Sequence, residues 1–173
     1  MKSKEFWQTV WADVLANTAS GILIAFLALI SIDQFYATPQ LGGMWEFTIE
    51  VDDTTYSDYK QMQLTYQAVL LQKELQFSGA GDKYAEKSLP ELVIKELSGE
   101  DRVPITLSGY IEKNFFSDNK VFISISEQGS LRISATFHEL SIESDDLLTG
   151  TFYSTIANTK GRVSWRRVSN VRK

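Results

Sequence analysis

Apolar and polar residues alternate along most of the chain after residue 42, and β-branched and aromatic side chains fill many of the apolar positions. Successive side chains of a strand point to opposite faces, so this alternation indicates strands with one buried face. Residues that favour turns separate the runs, and the pattern predicts eight strands. These are 44–51, 61–71, 74–79, 103–112, 119–127, 131–140, 147–157 and 161–168.

The connections between the predicted strands are short, polar and compatible with hairpin turns. We therefore expect antiparallel neighbours and a mainly β fold, an eight-stranded up-and-down barrel, because closure removes exposed edges. A two-sheet sandwich is the alternative. The stretch 79–83, GAGDK, is interpreted as a further hairpin turn. One longer insertion, 88–100, has leucines at helical spacing and predicts a short helix beginning near Pro90.

The alternation also assigns a face to each side chain. On four strands we expect one set to face the lumen: Trp45, Phe47, Ile49, Val51; Met62, Leu64, Tyr66, Ala68; Leu131, Ile133, Ala135, Phe137; and Leu148, Gly150, Phe152, Ser154, Ile156. An eight-stranded barrel has room for a packed core or for one small ligand.

The first 38 residues differ from the rest, and we treat 1–38 as a membrane anchor and 39–173 as the barrel domain. Val14–Ile32 carries no charge and has Asp13 before it and Asp33 after it. As a helix these 19 residues cover about 28 Å, close to the hydrocarbon thickness of a bilayer. The segment therefore predicts a transmembrane helix. A cleaved signal peptide and a buried core helix are the alternatives.

Small residues lie near the first half of this segment, where Ala16 and Ser20 would let two helices approach closely. Asn17 lies between them and could form a hydrogen bond across such an interface, or lie near the headgroups instead. We expect a homo-oligomer formed through the helix. Two early lysines, Lys2 and Lys4, favour an N-terminus in the cytoplasm.

Composition leaves little room for catalysis. The chain has no cysteine and one histidine, His138, which the alternation places on the face opposite Phe137. Neither a zinc site nor a Cys-His pair can be assembled from these residues, so we expect no enzyme activity, no metal and no cofactor. The formal net charge of −5 does not indicate binding to DNA or RNA polymers.

A tryptophan in the first predicted strand and an arginine in the last form a second pattern. Gly43-Met44-Trp45 and Arg166-Arg167 together resemble the lipocalin and avidin group of barrels. In that group the arginine packs across the tryptophan and closes one end. The resemblance implies that Arg167 does this over Trp45 through cation–π contact and hydrogen bonds to nearby carbonyls.

The combination of an apolar N-terminal helix and a compact barrel resembles the membrane effectors of bacterial cyclic-oligonucleotide defence, of the CBASS and Panoptes type. That resemblance implies a single-pass protein of the bacterial inner membrane, in contact with its lipids. The barrel would bind a cyclic oligonucleotide, and oligomers would disrupt the membrane in antiviral defence. The family usually has two helices before the barrel, whereas this chain has space for one.

A bound nucleotide would need aromatic faces for its bases and cations or amides for its phosphates. The residues we select on that basis are Tyr66, Gln67, Tyr110, Arg132, Tyr153 and Arg167. Two alternatives remain: an anchored lipocalin-like module for a lipid or other apolar ligand, and a structural subunit that docks a partner protein.

Overall fold

The computed structural model of the chain describes residues 7, 11, 14, 15, 17–29, 38–88, 93–114, 117–129 and 132–168. The chain divides into two compact units, Met1–Ala37 and Thr38–Lys173. Residues 17–29 of the first unit form an α-helix whose side chains are exposed within that unit. Thr18 donates a hydrogen bond from Oγ1 to the carbonyl of Val14, at 2.7 Å.

The transmembrane helix predicted from the sequence is not supported. The helix over residues 17–29 is 13 residues long, which gives about 20 Å of rise against roughly 30 Å of hydrocarbon. Among the described residues, no helix combines the length and the apolar character that crossing a bilayer requires. Of the residues selected for helix association, Asn17 and Ser20 are exposed on this helix, whereas Ala16 lies outside the described residues.

The second unit is an antiparallel sheet of nine strands. The strands are β1 (Gly43–Asp53), β2 (Met62–Lys73), β3 (Gln76–Ser88), β4 (Val93–Glu96), β5 (Val103–Glu112), β6 (Lys120–Gln128), β7 (Ile133–Ser144), β8 (Leu147–Ser154) and β9 (Thr159–Arg167). Apart from β4, each strand pairs with the strand before it and the strand after it along the chain. The first strand, β1, also pairs with β9, which closes the sheet. The eight strands other than β4 form the barrel, and β4 pairs with the end of β3. The predicted eight-stranded barrel is therefore confirmed.

The insertion between β3 and β5 is built differently from the prediction. Within 88–100 the described residues form β4, which pairs with the end of β3, and the start of a 3₁₀ turn at Gly99–Asp101. The predicted helix is therefore wrong for these residues, because Val93 and Ile94 favour a strand when a neighbouring strand offers its edge. Residues 89–92, including Pro90, lie outside the described residues.

The stretch 79–83 is not a hairpin turn, because it lies inside β3 and pairs with both β2 and β5. Its glycines allow the backbones of neighbouring strands to approach each other closely. A Cβ on Gly81 would lie 1.9 Å from the carbonyl oxygen of Gln67, and one on Gly150 would lie 2.0 Å from that of Glu139. Only glycine permits strands to bend this tightly toward their neighbours, which is how a small barrel turns its corners.

Lumen-facing side chains form the core. The faces predicted for β1, β2 and β8 are confirmed, since Trp45, Phe47, Tyr66, Leu148 and Phe152 are buried. The face predicted for β7 is wrong.

On β7, Ile133 and Phe137 are exposed, whereas Ser134 and His138 are buried in the lumen. Leu131 lies outside the described residues. The inner face of β7 therefore carries hydrogen-bonding groups, and its outer face is the more apolar one. A prediction that places the more apolar face inside is wrong for this strand.

Candidate functional site

One end of the barrel is closed by an arginine lying over a tryptophan. The guanidinium of Arg167 is 4.5 Å from the centre of the Trp45 ring. It donates hydrogen bonds to the carbonyls of Gln40, Gly42 and Asp145, so the incoming chain and the β7–β8 turn are both held. The Trp45 indole donates to the carbonyl of Leu41 at 2.8 Å. This arrangement has the geometry that the resemblance to lipocalins and avidins implies.

A column of aromatic rings continues from this closed end along the lumen. Trp45 meets Trp165 edge-on, with ring centres 6.5 Å apart. Trp165 stacks on Phe47 at 4.0 Å, and Phe47 stacks on Tyr66 at 4.6 Å. The column fills the closed half of the lumen and ends at the hydroxyl of Tyr66.

His138 packs against the side of this column. Its ring meets Phe47, Phe152 and Trp165 edge-on, and its Nδ1 accepts a hydrogen bond from the Trp165 indole at 3.2 Å. An indole N–H can only donate, so the neutral imidazole carries its proton on Nε2. Nε2 has no partner among the described residues. Burial lowers the pKa of His138 to about 3, so the ring is neutral.

The other half of the lumen contains a cavity of about 250 Å³. Its walls combine apolar side chains, four hydroxyls, two tyrosines and an ion cluster. The lining residues are Ile49, Val51, Tyr59, Met62, Leu64, Tyr66, Lys83, Glu86, Glu127, Ser134, Thr136, Phe152, Ser154, Ile156 and Thr159. This volume is slightly below the range of about 300–1,000 Å³ that is usual for small-molecule sites.

The ion cluster lies on the wall formed by β2, β3 and β6. Lys83 Nζ is 3.0 Å from Glu127 Oε1 and 2.8 Å from Glu86 Oε1. Tyr66 donates its hydroxyl hydrogen bond to Glu127 Oε2 at 2.9 Å. The Lys83 side chain is largely buried, whereas the side chains of Glu127 and Glu86 are 19 % and 26 % exposed.

These contacts shift the ionisation of the cluster. Burial, reinforced by the Glu127 carboxylate, raises the pKa of Tyr66 well above its ordinary value. Burial alone would lower the pKa of Lys83, but the carboxylates of Glu127 and Glu86 outweigh it and raise the pKa. Lys83 is therefore protonated at neutral pH. It is not a nucleophile for a carbonyl compound, because that chemistry requires an unprotonated amine.

A β-bulge produces this cluster. In a regular strand Lys83 and Glu86 would face opposite sides, because they are three residues apart. The pairing of β3 with β2 shifts between Lys83 and Ala85, which leaves Tyr84 as the extra residue. The extra residue resets the alternation, and Lys83 and Glu86 then lie opposite the inward-facing Tyr66 and Leu64.

Two short turns cover the cavity end of the barrel. The β1–β2 connection contains a 3₁₀ turn, Ser57–Tyr59, and the β8–β9 connection contains another, Ile156–Asn158. Thr55 donates hydrogen bonds from both its backbone N–H and its hydroxyl to the carbonyl of Ala157, at 2.9 and 2.8 Å. Only a few hydrogen bonds therefore hold the two turns together at this end.

The structure does not bring together the six residues selected for nucleotide binding. Tyr66 faces the cavity, and Arg167 lies at the closed end of the barrel. The others point outward or lie in a turn: Gln67 beside Asp82, Tyr110 on Phe122, Tyr153 beside Asn158, and Arg132 in the β6–β7 connection.

Aromatic side chains also lie on the outer wall. Tyr110, Phe122, Phe137 and Tyr153 come from β5, β6, β7 and β8, and the first two rings stack at 5.1 Å. Tyr110, Phe122 and Phe137 adjoin an open groove of about 840 Å³. This groove is larger than the lumen cavity, but it is shallow and open to solvent. The enclosed cavity, which combines apolar walls with convergent polar groups, is the better candidate site.

The alternation assigned eight of the fifteen lining residues to the lumen face, but it missed the ion cluster of Lys83, Glu86 and Glu127, part of which was readable. Lys83 follows Phe77, Gly79 and Gly81 at alternate positions, and Glu127 follows Ile123 and Ile125 in the same way. A charged residue at an apolar position of a strand is a signal for a buried polar group. Glu86 gave no such signal because the bulge at Tyr84 changes its face. No metal-binding group of histidines and carboxylates occurs among the described residues.

Comparisons with known proteins add a likeness in shape. Neither a family model nor a curated protein matches the chain. A redesigned β-barrel is similar, with a TM-score of 0.49, 14 % identity and coverage of 75 % of this chain and 92 % of that one. A second redesigned barrel, mFAP1 bound to DFHBI, gives a TM-score of 0.47 and 15 % identity, covering 73 % of this chain and 94 % of that one. Likeness at this level supports no inference about function.

Proposed function

We propose that this protein is a binding protein rather than an enzyme, and that it holds one small, largely apolar ligand in the cavity of its barrel. The observation that carries this proposal is the partly enclosed space next to Tyr66, Lys83 and Glu127. The closed half of the same lumen is filled with aromatic rings, which shows that this sequence can pack a barrel interior. Space lined with hydroxyls and charges at the other end is consistent with a site for a solute.

The ligand must match the walls of the cavity. Six of the lining side chains are aliphatic or phenyl groups, from Ile49, Val51, Met62, Leu64, Phe152 and Ile156. Ser134, Thr136, Ser154 and Thr159 add hydroxyls on the wall next to Glu127, which pairs with Ser134 across β6 and β7. Thr136 already donates to Ser154, and Ser154 and Thr159 donate to backbone carbonyls, so these three hydroxyls are not free to donate to a ligand. A molecule with an apolar body and a few polar groups satisfies both kinds of wall.

A cyclic oligonucleotide, the ligand implied by the resemblance to CBASS and Panoptes effectors, is not favoured by this cavity. Its phosphates would need cationic partners. Lys83 is the basic residue among the described lining, and two carboxylates already neutralise it. The cavity of about 250 Å³ is also smaller than most sites that bind drug-sized molecules, and an oligonucleotide is larger than such molecules.

The test uses the full chain and Prodan, a neutral dye whose emission shifts to the blue in an apolar site. We expect saturable binding with a blue shift. Ser134→Phe fills the cavity and should abolish it. Ile133→Phe introduces the same side chain one residue away, on the exposed outer face, and should leave it unchanged.

The outer wall needs its own control, because Prodan could also adsorb to the aromatic residues there. Phe137→Ser removes an exposed ring from that wall and should not alter the affinity. Binding that survives Ser134→Phe but is lost in Phe137→Ser would contradict the proposal. It would favour the outer wall as the binding surface.

A further inference from the structure

The charges lining the cavity do not balance, and the excess restricts the chemistry of the ligand. Among the described residues of the lining, Lys83 supplies one positive charge, whereas Glu86 and Glu127 supply two negative charges. Tyr66 is neutral at physiological pH, because burial and the Glu127 carboxylate raise its pKa well above its ordinary value. Because the glutamate side chains are largely shielded from solvent, this net charge interacts more strongly with an ion that enters the site than it would in open water.

Both carboxylates can accept further hydrogen bonds. Each carboxylate offers about four lone-pair positions. Glu127 accepts one hydrogen bond from Lys83 and one from Tyr66, and Glu86 accepts one from Lys83. Because both side chains retain some exposure, another donor can reach them from the cavity or its mouth.

The rest of the lining suits the remainder of a cationic molecule. The rings of Tyr59, Tyr66 and Phe152 line the cavity together with aliphatic side chains. Aromatic faces attract cations through their quadrupole, and aliphatic groups accommodate an apolar body. An anion would find no matching arrangement, because the lysine ammonium already binds two carboxylates.

We propose that the ligand is a small organic monocation, an ammonium group on an apolar body, and that its ammonium donates hydrogen bonds to Glu127 and Glu86. This inference rests on the proposed ligand site in the lumen. Among the described residues, Lys83 links the two carboxylates. Binding adds a second cation to the cluster and brings the charge of the occupied site close to neutral.

The test compares three compounds that share one ring system and differ in charge. Tryptamine is a cation, indole-3-ethanol is neutral and indole-3-acetate is an anion at pH 7. Each is titrated against the full chain by calorimetry and by displacement of Prodan. We expect tryptamine to bind at least about tenfold more tightly than indole-3-ethanol, and indole-3-acetate to bind most weakly.

Two variants locate the preference at the ion cluster. Glu127→Gln keeps the shape and should lower tryptamine affinity about tenfold while leaving indole-3-ethanol unchanged. Lys83→Met removes the competing cation and should raise tryptamine affinity. Glu139→Gln, on an exposed glutamate that pairs with Lys120, is the control and should have no effect. Circular dichroism checks that each variant folds.

The outcomes separate the two proposals. If Prodan binds in the lumen but the three indoles bind alike, or none of them displaces it, the cation preference is wrong and the ligand site stands. If tryptamine is preferred but neither Glu127→Gln nor Lys83→Met alters that preference, its assignment to this cluster is wrong. If Ser134→Phe leaves all binding unchanged, the ligand site itself is wrong.

Discussion

The two ends of the barrel use the same lumen in opposite ways. At the closed end, Trp45 and Trp165 have no exposed surface, and the guanidinium of Arg167 covers Trp45. At the cavity end, the inward side chains include hydroxyls and an ion cluster beside aliphatic groups, and the lumen is not filled. The comparison suggests that aromatic packing at one end supplies stability that allows the other end to keep space for a ligand.

The largest expected effect comes from removing a ring at the closed end. Trp45→Ala should lower the free energy of unfolding by about 3–5 kcal/mol, because the side chain is fully buried and leaves a cavity. Met62→Ala, at the cavity end, should cost about 1 kcal/mol, because that side chain already faces open space. Urea unfolding measures both. Equal losses would contradict the division between the two ends.

A second prediction concerns pH and His138, beside the aromatic column. Its pKa is about 3 in the folded barrel against 6.5 in the unfolded chain, so the unfolded chain takes up the proton first. Its contribution to stability is complete above about pH 6.5 and is lost as the pH falls toward 3. Lowering the pH from about 7.5 to 4.5 should cost about 2–3 kcal/mol through this residue.

The matched variant for this prediction is His138→Gln, whose amide oxygen can still accept the Trp165 hydrogen bond. Subtracting its pH profile from that of the unmodified chain removes the contribution of the carboxylates. A difference that stays flat between pH 7.5 and 4.5 would show that His138 is not held neutral in the fold.

The arginine at the closed end should have an intermediate effect. Arg167→Lys keeps the charge but cannot reproduce the flat contact with Trp45 or the fork of hydrogen bonds to three carbonyls. We expect a loss of about 1–3 kcal/mol. Arg166→Lys, on the adjacent exposed residue, should change stability by less than about 0.5 kcal/mol. Similar losses in both variants would indicate a general charge effect.

The smallest effect is expected where the column meets the cavity. Tyr66→Phe removes the hydrogen bond to Glu127 but keeps the stacking on Phe47. Lys83 continues to pair with the carboxylate, so the cost should be about 0.5–1.5 kcal/mol by thermal unfolding. A loss as large as that of Trp45→Ala would mean that the cavity end also carries the stability of the barrel.

The sequence predicts the barrel well because strand alternation reports burial directly. It gives the lumen face of Trp45 and Phe47, and the motif resemblance indicates the partner of Trp45. It fails on β7, where Ile133 and Phe137 look like core residues but lie on the outer wall. Apolar character does not reveal which face of a strand is inside when the lumen itself needs polar groups.

The candidate site was less predictable than the fold. Its ion cluster depends on a single extra residue, Tyr84, which moves Glu86 to the inner face. A bulge is set by pairing with neighbouring strands, and no local pattern in 83–86 encodes it. At the ion cluster, the sequence analysis missed a feature that is present. For the N-terminal apolar segment, it predicted a membrane crossing from composition, and the described helix does not support that prediction.

The pairing of β1 with β9 also has a consequence for the synthesis of this protein. More than 100 residues separate the two strands, so β1 lacks its second neighbour until β9 has left the ribosome. At ordinary elongation rates that takes roughly 5–20 s. Throughout this interval the nascent sheet has open edges that another chain can join. Newly made copies are therefore most exposed to aggregation just before their last strand emerges.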